Sequence, residues 1–103
     1  MTQRRQLPPQ PFQPLEIELG QRYDARVMVD DAHGTGAIGP EGRGSVAAAG
    51  LEGEVDVVVG TLGKALGSYG AYVCCDKPMA KYLINTARTL IFSTALSPPA
   101  VAA

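Results

Sequence analysis

The chain has 103 residues and a mass of 10.8 kDa, which allows one modest domain and excludes a second complete one. Nine basic residues against ten acidic residues give a net charge of −1, so no general positive field gathers nucleic acid or anionic lipid. Hydrophobic residues make up 46% and charged residues 18%, which is typical of a chain that buries a core. We therefore expect small-molecule partners bound at a local site, with no nucleic-acid or membrane partner.

The N-terminal segment differs in composition from the rest of the chain. Residues 1–14 place four prolines among glutamines and arginines, and proline neither continues a helix nor pairs in a central strand, so we predict a tail. No apolar stretch has the length of a signal-peptide core or of a bilayer span. Cys74 and Cys75 are adjacent and could form only a strained ring, which indicates a reducing compartment. We expect a cytoplasmic protein.

Hydrophobic spacing and turn residues predict an alternation of helices and strands. In chain order, the predicted elements are a helix over 15–23, strands over 26–30, 55–59 and 71–75, a helix over 77–88 and a strand over 90–94. Gly20 weakens the first helix, and the run at 55–59 is typical of a fully buried strand. Ser45 could cap a short helical turn, and Asp76 the helix over 77–88.

Apolar, β-branched strands that alternate with helices predict an α/β fold, with a mixed or mostly parallel sheet covered by helices. Pro98 and Pro99 are typical of a helix start, and the sequence ends just after them. We therefore expect residues 15–103 to be part of a larger domain, incomplete at both ends.

Two nucleotide-binding motifs fit the sequence poorly. Residues 34–39 read G-x-G-x-x-G after a strand, but Pro40 and further glycines follow where a dinucleotide-binding fold needs a helix N-terminus. Gly63 and Lys64 resemble the end of a P-loop, but Ala65 stands where a hydroxyl residue is required. Nucleotide triphosphate binding is excluded, and a dinucleotide-binding segment stays as a minor alternative. The single histidine and the adjacent cysteines also lack zinc-ligand spacing, so no metal site is predicted.

A group of chemically complementary residues follows two predicted strands. Asp30 ends the first and His33 comes just after it, while Thr61 and Lys64 follow the second. Ligand sites of open α/β sheets lie beyond the carboxyl ends of the strands, so these residues could face one crevice. Pyridoxal phosphate (PLP) needs an amine for a Schiff base, a carboxylate for its ring nitrogen and donors for its phosphate. Lys64, Asp30 and Thr61 could supply these, and the imidazole of His33 could lie against the ring.

Each of these residues also has an ordinary structural interpretation. A carboxylate at a strand end, such as Asp30 or Asp31, often only caps a loop. A single histidine is commonly a hydrogen-bonded structural residue, and a loop lysine is usually a solvated charge. The combination, rather than any one residue, indicates the cofactor site.

Three longer motifs resemble a known family. The segments VMVDDAHGTGAIGPEGRG, DVVVGTLGKALGSYGAYV and ARTLIFSTALSPP are similar, in this order, to the α-oxoamine synthases, which are fold-type I enzymes dependent on pyridoxal 5'-phosphate. The resemblance covers residues 15–103 and implies the large PLP-binding domain of an aminotransferase-like homodimer.

The resemblance also implies a role for each candidate residue. Lys64 would form the Schiff base and act as a catalytic residue, together with His33 near the ring and its phenolic oxygen. Asp30 would pair with the pyridine nitrogen, and Thr61 would hold the phosphate. Ser93 and Thr94 would lie near the phosphate at the dimer interface.

The family reaction joins an amino acid to an acyl thioester with loss of carbon dioxide. In the members most similar to this sequence, the substrates are L-alanine and pimeloyl-CoA or its carrier-protein form, in biotin biosynthesis. Glycine C-acetyltransferase and 5-aminolevulinate synthase share much of the lysine and Asp-x-x-His pattern and remain alternatives. A catalytically inactive remnant, or a piece that pairs with an intact homologue, is the alternative outside enzyme function.

Overall fold

The computed structural model describes residues 14–103 as short helices around a three-stranded sheet. In chain order, the elements are α1 (Pro14–Arg22), β1 (Met28–Asp30), a 3-10 turn (Pro40–Gly42), α2 (Ser45–Ala48), β2 (Val57–Thr61), β3 (Ala71–Cys75), α3 (Lys77–Thr86), α4 (Arg88–Ile91) and α5 (Pro98–Ala102). The predicted tail at 1–14 lies outside the described residues, except for Pro14, which begins α1. The tail therefore stays a prediction.

The sheet has the order β1-β2-β3 and is mixed. β1 and β2 are parallel, with Asp30 opposite Val59, and β2 and β3 are antiparallel, with Thr61 opposite Ala71. The connection of residues 62–70 is shorter than the roughly dozen residues that a parallel crossover needs, so β3 returns antiparallel. The α/β class predicted from the sequence is confirmed, with one parallel and one antiparallel pair in this part of the sheet.

A small core joins α1 and α2 to β1 and β2. Its buried hydrophobic side chains are Ile17, Val29, Val46, Ala47 and Val57. Gly20 is buried as well, and it packs closely: a β-carbon at this position would lie only 2.6 Å from Val27 Cγ2. The glycine that weakens the helix prediction is therefore the one that lets α1 approach the chain leading into β1.

Most predicted elements occur, with shifted ends. The predicted strand at 55–59 is β2, which begins two residues later, and it is only partly buried: Val57 and Gly60 are buried, while Val58 and Val59 are half-buried. The strand predicted over 71–75 is β3. The helix predicted over 77–88 is α3, and its cap is confirmed because Asp76 Oδ1 accepts a hydrogen bond from Met79 N at 2.8 Å.

The strand predicted over residues 90–94 is wrong. The backbone N–H groups of Leu90 and Ile91 donate to Ala87 O at 3.0 Å, which forms the short helix α4. A short apolar run does not by itself distinguish a strand from a helix, and here local hydrogen bonds decide the conformation. None of the helices within residues 14–103 is long and apolar enough to cross a membrane.

Candidate functional site

The candidate site lies beyond the carboxyl ends of β1 and β2. Asp30 is the last residue of β1, and Thr61 is the last residue of β2. Because these strands are parallel and adjacent, both ends open at the same edge of the sheet, where α/β folds place their ligands. The loops that follow carry His33 and Lys64.

Lys64 and His33 are brought together by this arrangement. Lys64 Nζ lies 3.4 Å from His33 Nε2, although the two residues are 31 positions apart in the chain. Both side chains are exposed, so a ligand can reach them. An ammonium at Lys64 can donate to Nε2 when that nitrogen carries no proton. The pair places an amine and a flat ring side by side.

Asp30 offers a partly free carboxylate at the same edge. Its Oδ1 accepts a hydrogen bond from Ala32 N at 3.1 Å, which forms an Asx turn at the strand end. Within residues 14–103 its other carboxylate oxygen accepts no hydrogen bond, and the side chain is exposed. One oxygen of the Asp30 carboxylate therefore caps the loop, and the other is an acceptor that a ligand can use.

Thr61 already uses its hydroxyl within the protein. Thr61 Oγ1 donates to Gly70 O at 3.0 Å and accepts from Gly63 N at 3.1 Å, which closes the turn between β2 and β3. A hydroxyl has only one proton to donate, so holding a phosphate oxygen requires that proton to turn away from Gly70. That Thr61 binds the phosphate stays a prediction, and it requires the hydroxyl to give up its hydrogen bond to Gly70 O.

Ser93 and Thr94 are not joined to this cluster. Both are exposed, and Ser93 Oγ donates to Leu90 O at 3.1 Å at the end of α4. Ser93 lines an apolar cavity of about 540 Å³ between β3 and the helices α3 and α4. In the described part of the chain no hydrogen bond links either residue to Lys64 or His33, so their role in cofactor binding stays a prediction.

Asp31 has a different role from Asp30, which the sequence analysis did not distinguish. Its side chain is 5% exposed, and its carboxylate accepts from Ser45 Oγ at 2.6 Å and from Ser45 N at 2.8 Å. The prediction that the Ser45 side chain caps α2 is wrong, because Ser45 lies inside the helix and its hydroxyl donates to Asp31. The glycines at positions 34 and 44 leave room for this carboxylate. They were the signal in the sequence that could have identified Asp31 as the buried residue.

The residues present fit a pyridoxal phosphate site in kind. An amine, a carboxylate and a hydroxyl, which are the kinds of group that a phosphorylated pyridine aldehyde needs, lie at or just after the ends of two neighbouring strands, together with an imidazole. Fold and site together define a lysine-centred α/β site of the fold-type I kind. The chain belongs to the aminotransferase class I and II family, whose model matches residues 13–103.

Comparison with known proteins gives the same result. The chain is 50% identical over 93 residues to the 8-amino-7-oxononanoate synthase of Citrifermentans bemidjiense, which covers 90% of this chain and 24% of that protein. A serine palmitoyltransferase from S. paucimobilis, solved with a bound PLP–myriocin aldimine, superposes with a TM-score of 0.75 at 38% identity and covers 84% of this chain and 22% of its own. The 8-amino-7-oxononanoate synthase of Francisella tularensis gives a TM-score of 0.61 at 35% identity, covering 82% and 25%.

This chain therefore spans about a quarter of the length of the relatives it matches. The resemblance to fold-type I PLP enzymes is confirmed by these matches.

Proposed function

We propose that this chain is the lysine-bearing, cofactor-binding segment of a PLP-dependent α-oxoamine synthase. The proposed substrates are L-alanine and a pimeloyl thioester, either pimeloyl-CoA or its carrier-protein form, condensed in biotin biosynthesis with release of the thiol (CoA or the carrier protein) and of carbon dioxide. The observation that carries the proposal is the contact of Lys64 Nζ with His33 Nε2 at 3.4 Å, at the edge where β1 and β2 end. The 50% identity to an 8-amino-7-oxononanoate synthase supports the choice of substrates.

The side chains of the site divide the work of binding and proton transfer. When bound, pyridoxal phosphate supplies an electron-withdrawing ring that stabilises negative charge at the amino acid Cα. Lys64 Nζ can bind a carbonyl covalently as an amine and, once free, can accept a proton from Cα. The carboxylate oxygen of Asp30 that accepts no hydrogen bond within residues 14–103 can hold a proton on a ring nitrogen. His33 limits where a ring can lie beside Lys64.

The other family activities remain alternatives. A specific observation favours serine palmitoyltransferase, because a solved structure of that enzyme superposes with a TM-score of 0.75. Its identity to this chain is 38%, lower than the 50% shared with the 8-amino-7-oxononanoate synthase, so we place it second. Glycine C-acetyltransferase and 5-aminolevulinate synthase use the same residue pattern. An inactive remnant, or a piece that pairs with an intact homologue, would keep these motifs without turnover.

The proposal is tested by asking which lysine reacts with pyridoxal phosphate. The chain has three lysines: Lys64 at the site, and Lys77 and Lys81 on the exposed surface of α3. The full chain is incubated with pyridoxal phosphate, reduced with borohydride, digested and analysed by mass spectrometry, and the absorbance band is recorded after desalting. We expect modification at Lys64 well above that at the two α3 lysines, and a band that Lys64→Ala abolishes.

Lys77→Ala and Lys81→Ala are the matched controls, since they remove an amine of the same type from an exposed helix. They should leave the band unchanged. Equal modification of all three lysines in the wild-type chain would contradict the proposal.

The choice of amino acid is tested on the same loaded chain. L-Alanine, glycine and L-serine are titrated separately, and the change in the absorbance band gives an apparent affinity for each. A preference for L-alanine supports the biotin-pathway activity, and a preference for L-serine would assign the chain to the second candidate. The proposal includes a homodimer located in the cytoplasm, and sedimentation of the loaded chain tests the oligomeric state.

A further inference from the structure

Asp31 has an environment unlike that of the other acidic residues of the chain. Within residues 15–103 it is the one charged side chain that is buried, at 5% exposure. Both carboxylate oxygens are used: Oδ2 accepts from Ser45 N at 2.8 Å, and Oδ1 accepts from Ser45 Oγ at 2.6 Å. A buried carboxylate with this many donors is a structural anchor, since losing either partner would leave a buried polar group unsatisfied.

The backbone of Asp31 anchors the near end of the same loop. Its carbonyl oxygen accepts from Gly34 N at 3.1 Å, from Thr35 N at 2.9 Å and from Thr35 Oγ1 at 2.9 Å. These bonds form the tight turn that contains His33. One residue therefore closes the turn around His33 with its carbonyl group and fastens the far end of the loop, at Ser45, with its carboxylate.

Two glycines make room for this anchor. A β-carbon at Gly34 or at Gly44 would overlap the carboxylate of Asp31, so a larger residue at either position displaces it. Gly44 also has φ = +97°, a conformation that other residues rarely adopt. The carboxylate therefore fills the space that a side chain at either position would need.

The loop between these anchors contacts the segment that carries Lys64. A β-carbon built at Gly36 would lie 3.1 Å from Leu66 Cδ2 and 3.2 Å from Ala65 Cβ, so the two loops touch there. Gly36 is itself fixed across the loop, because its N–H donates to Gly42 O at 2.8 Å. The position of the loop thus determines where His33 stands relative to Lys64.

We propose that Asp31 is a positioning residue that holds His33 beside Lys64 by closing the loop of residues 31–45. The geometric part of this proposal stands on the free chain, whereas its effect on cofactor binding rests on the proposed function. Asp31 itself does not touch the cofactor in this proposal. It acts through the turn that contains His33.

The first measurement needs no cofactor. The chain has a single histidine, so the NMR spectrum contains one set of imidazole ring signals, and these are assigned to His33 without ambiguity. The difference in the His33 ring shifts between the wild-type chain and Lys64→Ala reports the contact between the two side chains. The same difference is then measured in the backgrounds Asp31→Asn, Ser45→Ala and, as control, Glu54→Gln. Glu54 is an exposed carboxylate whose Oε2 accepts from Gln21 Nε2 at 3.5 Å, outside the loop of residues 31–45.

The second measurement is the yield of Lys64 modified by pyridoxal phosphate, relative to Lys77 and Lys81. We expect Asp31→Asn to lower it about tenfold, the scale of losing one hydrogen bond to a buried charged group. Ser45→Ala removes one donor and should lower it about threefold. Glu54→Gln should leave it unchanged, and the Lys64-dependent shift of His33 should shrink in the Asp31 and Ser45 variants only.

Wild-type shifts and yields in folded Asp31→Asn and Ser45→Ala would overturn the proposal. If Asp31→Asn loses its circular dichroism signal, Ser45→Ala decides alone, because it keeps the bond from Ser45 N. If Lys64 is not modified selectively even in the wild-type chain, the proposed function fails. The NMR comparison then still confirms or refutes the role of Asp31.

Discussion

The ring of Tyr72 on β3 lies across the backbone of Gly60 on β2, in the space that a side chain at Gly60 would fill. The two residues are direct partners in the antiparallel register, and from this position the Tyr72 hydroxyl donates to Thr35 Oγ1 at 3.3 Å. Tyr72 therefore spans the sheet from its third strand to the loop that follows its first. Two of the predictions below depend on this side chain.

Gly60→Ala should destabilise the chain. The added β-carbon would overlap the Tyr72 ring and push it from its place, and overpacking of this kind costs about 1–3 kcal/mol in the free energy of unfolding. Urea denaturation followed by circular dichroism measures the change. Gly63→Ala is the matched control, because its β-carbon would meet nothing closer than Thr61 Oγ1 at 3.5 Å. Equal effects of the two substitutions would refute this explanation.

Tyr72→Phe should remove one hydrogen bond and keep the ring packing over Gly60. We expect a loss of about 0.5–1.5 kcal/mol in the free energy of unfolding, the usual net value of such a bond. Thr35→Val removes the partner hydroxyl, so in that background Tyr72→Phe should cost little. The double-mutant cycle isolates the contact, and additive losses would show that the two hydroxyl groups do not interact.

Thr61 should contribute to phosphate binding through the hydroxyl that now donates to Gly70 O. Thr61→Val removes this hydroxyl, and we expect the apparent affinity for pyridoxal phosphate to fall about tenfold or more, the scale of a bond to a charged group. Pyridoxal, which has no phosphate, should bind with nearly unchanged affinity. Absorbance titration measures both.

Thr61→Ser keeps the hydroxyl and is the rescue control for this experiment. Thr86→Val is the surface control, because Thr86 is exposed and its hydroxyl donates to Tyr82 O within α3. An equal loss of affinity for both ligands in Thr61→Val would mean that Thr61 acts only by closing its turn.

Asp76→Ala should weaken the start of α3. The Asp76 carboxylate accepts from Met79 N at 2.8 Å, and replacing an N-cap of this type by alanine costs about 0.5–2 kcal/mol. Asp76→Asn keeps an acceptor oxygen and should cost much less. Urea denaturation and the helical circular dichroism signal of the three chains test this, and a loss in Asp76→Asn as large as in Asp76→Ala would indicate that the charge matters instead of the cap.

The sequence predicted most of the local structure because local signals determine it. The Asp76 cap, the strand over 71–75 and the proline-led helix at Pro98–Ala102 each depend on neighbouring residues, and each is found. The prediction for residues 90–94 is wrong because the short apolar run from Leu90 to Phe92 carries no helical or strand period. Their conformation depends on the carbonyl group of Ala87, which accepts the N–H groups of Leu90 and Ile91.

In the candidate site, too, some features could be predicted from the sequence and others depend on the fold. The sequence indicated that His33 and Lys64 could face one crevice, because both come after predicted strands, and the structure places Lys64 Nζ 3.4 Å from His33 Nε2. The different roles of Asp30 and Asp31 were not predicted, because adjacent carboxylates are equivalent until the fold buries one of them. The buried one is identified by its partner Ser45, 14 positions further along the chain, and by the glycines at positions 34 and 44.

The volume that Asp31 shares with Gly34 and Gly44 ties three positions of the chain to one another. A variant that gains a side chain at position 34 must lose length at position 31, and either change alone leaves a clash or a hole. At position 44 the positive φ also disfavours every residue other than glycine, so fewer substitutions are tolerated there. In the divergence of such chains, these positions should change together or stay fixed as a set.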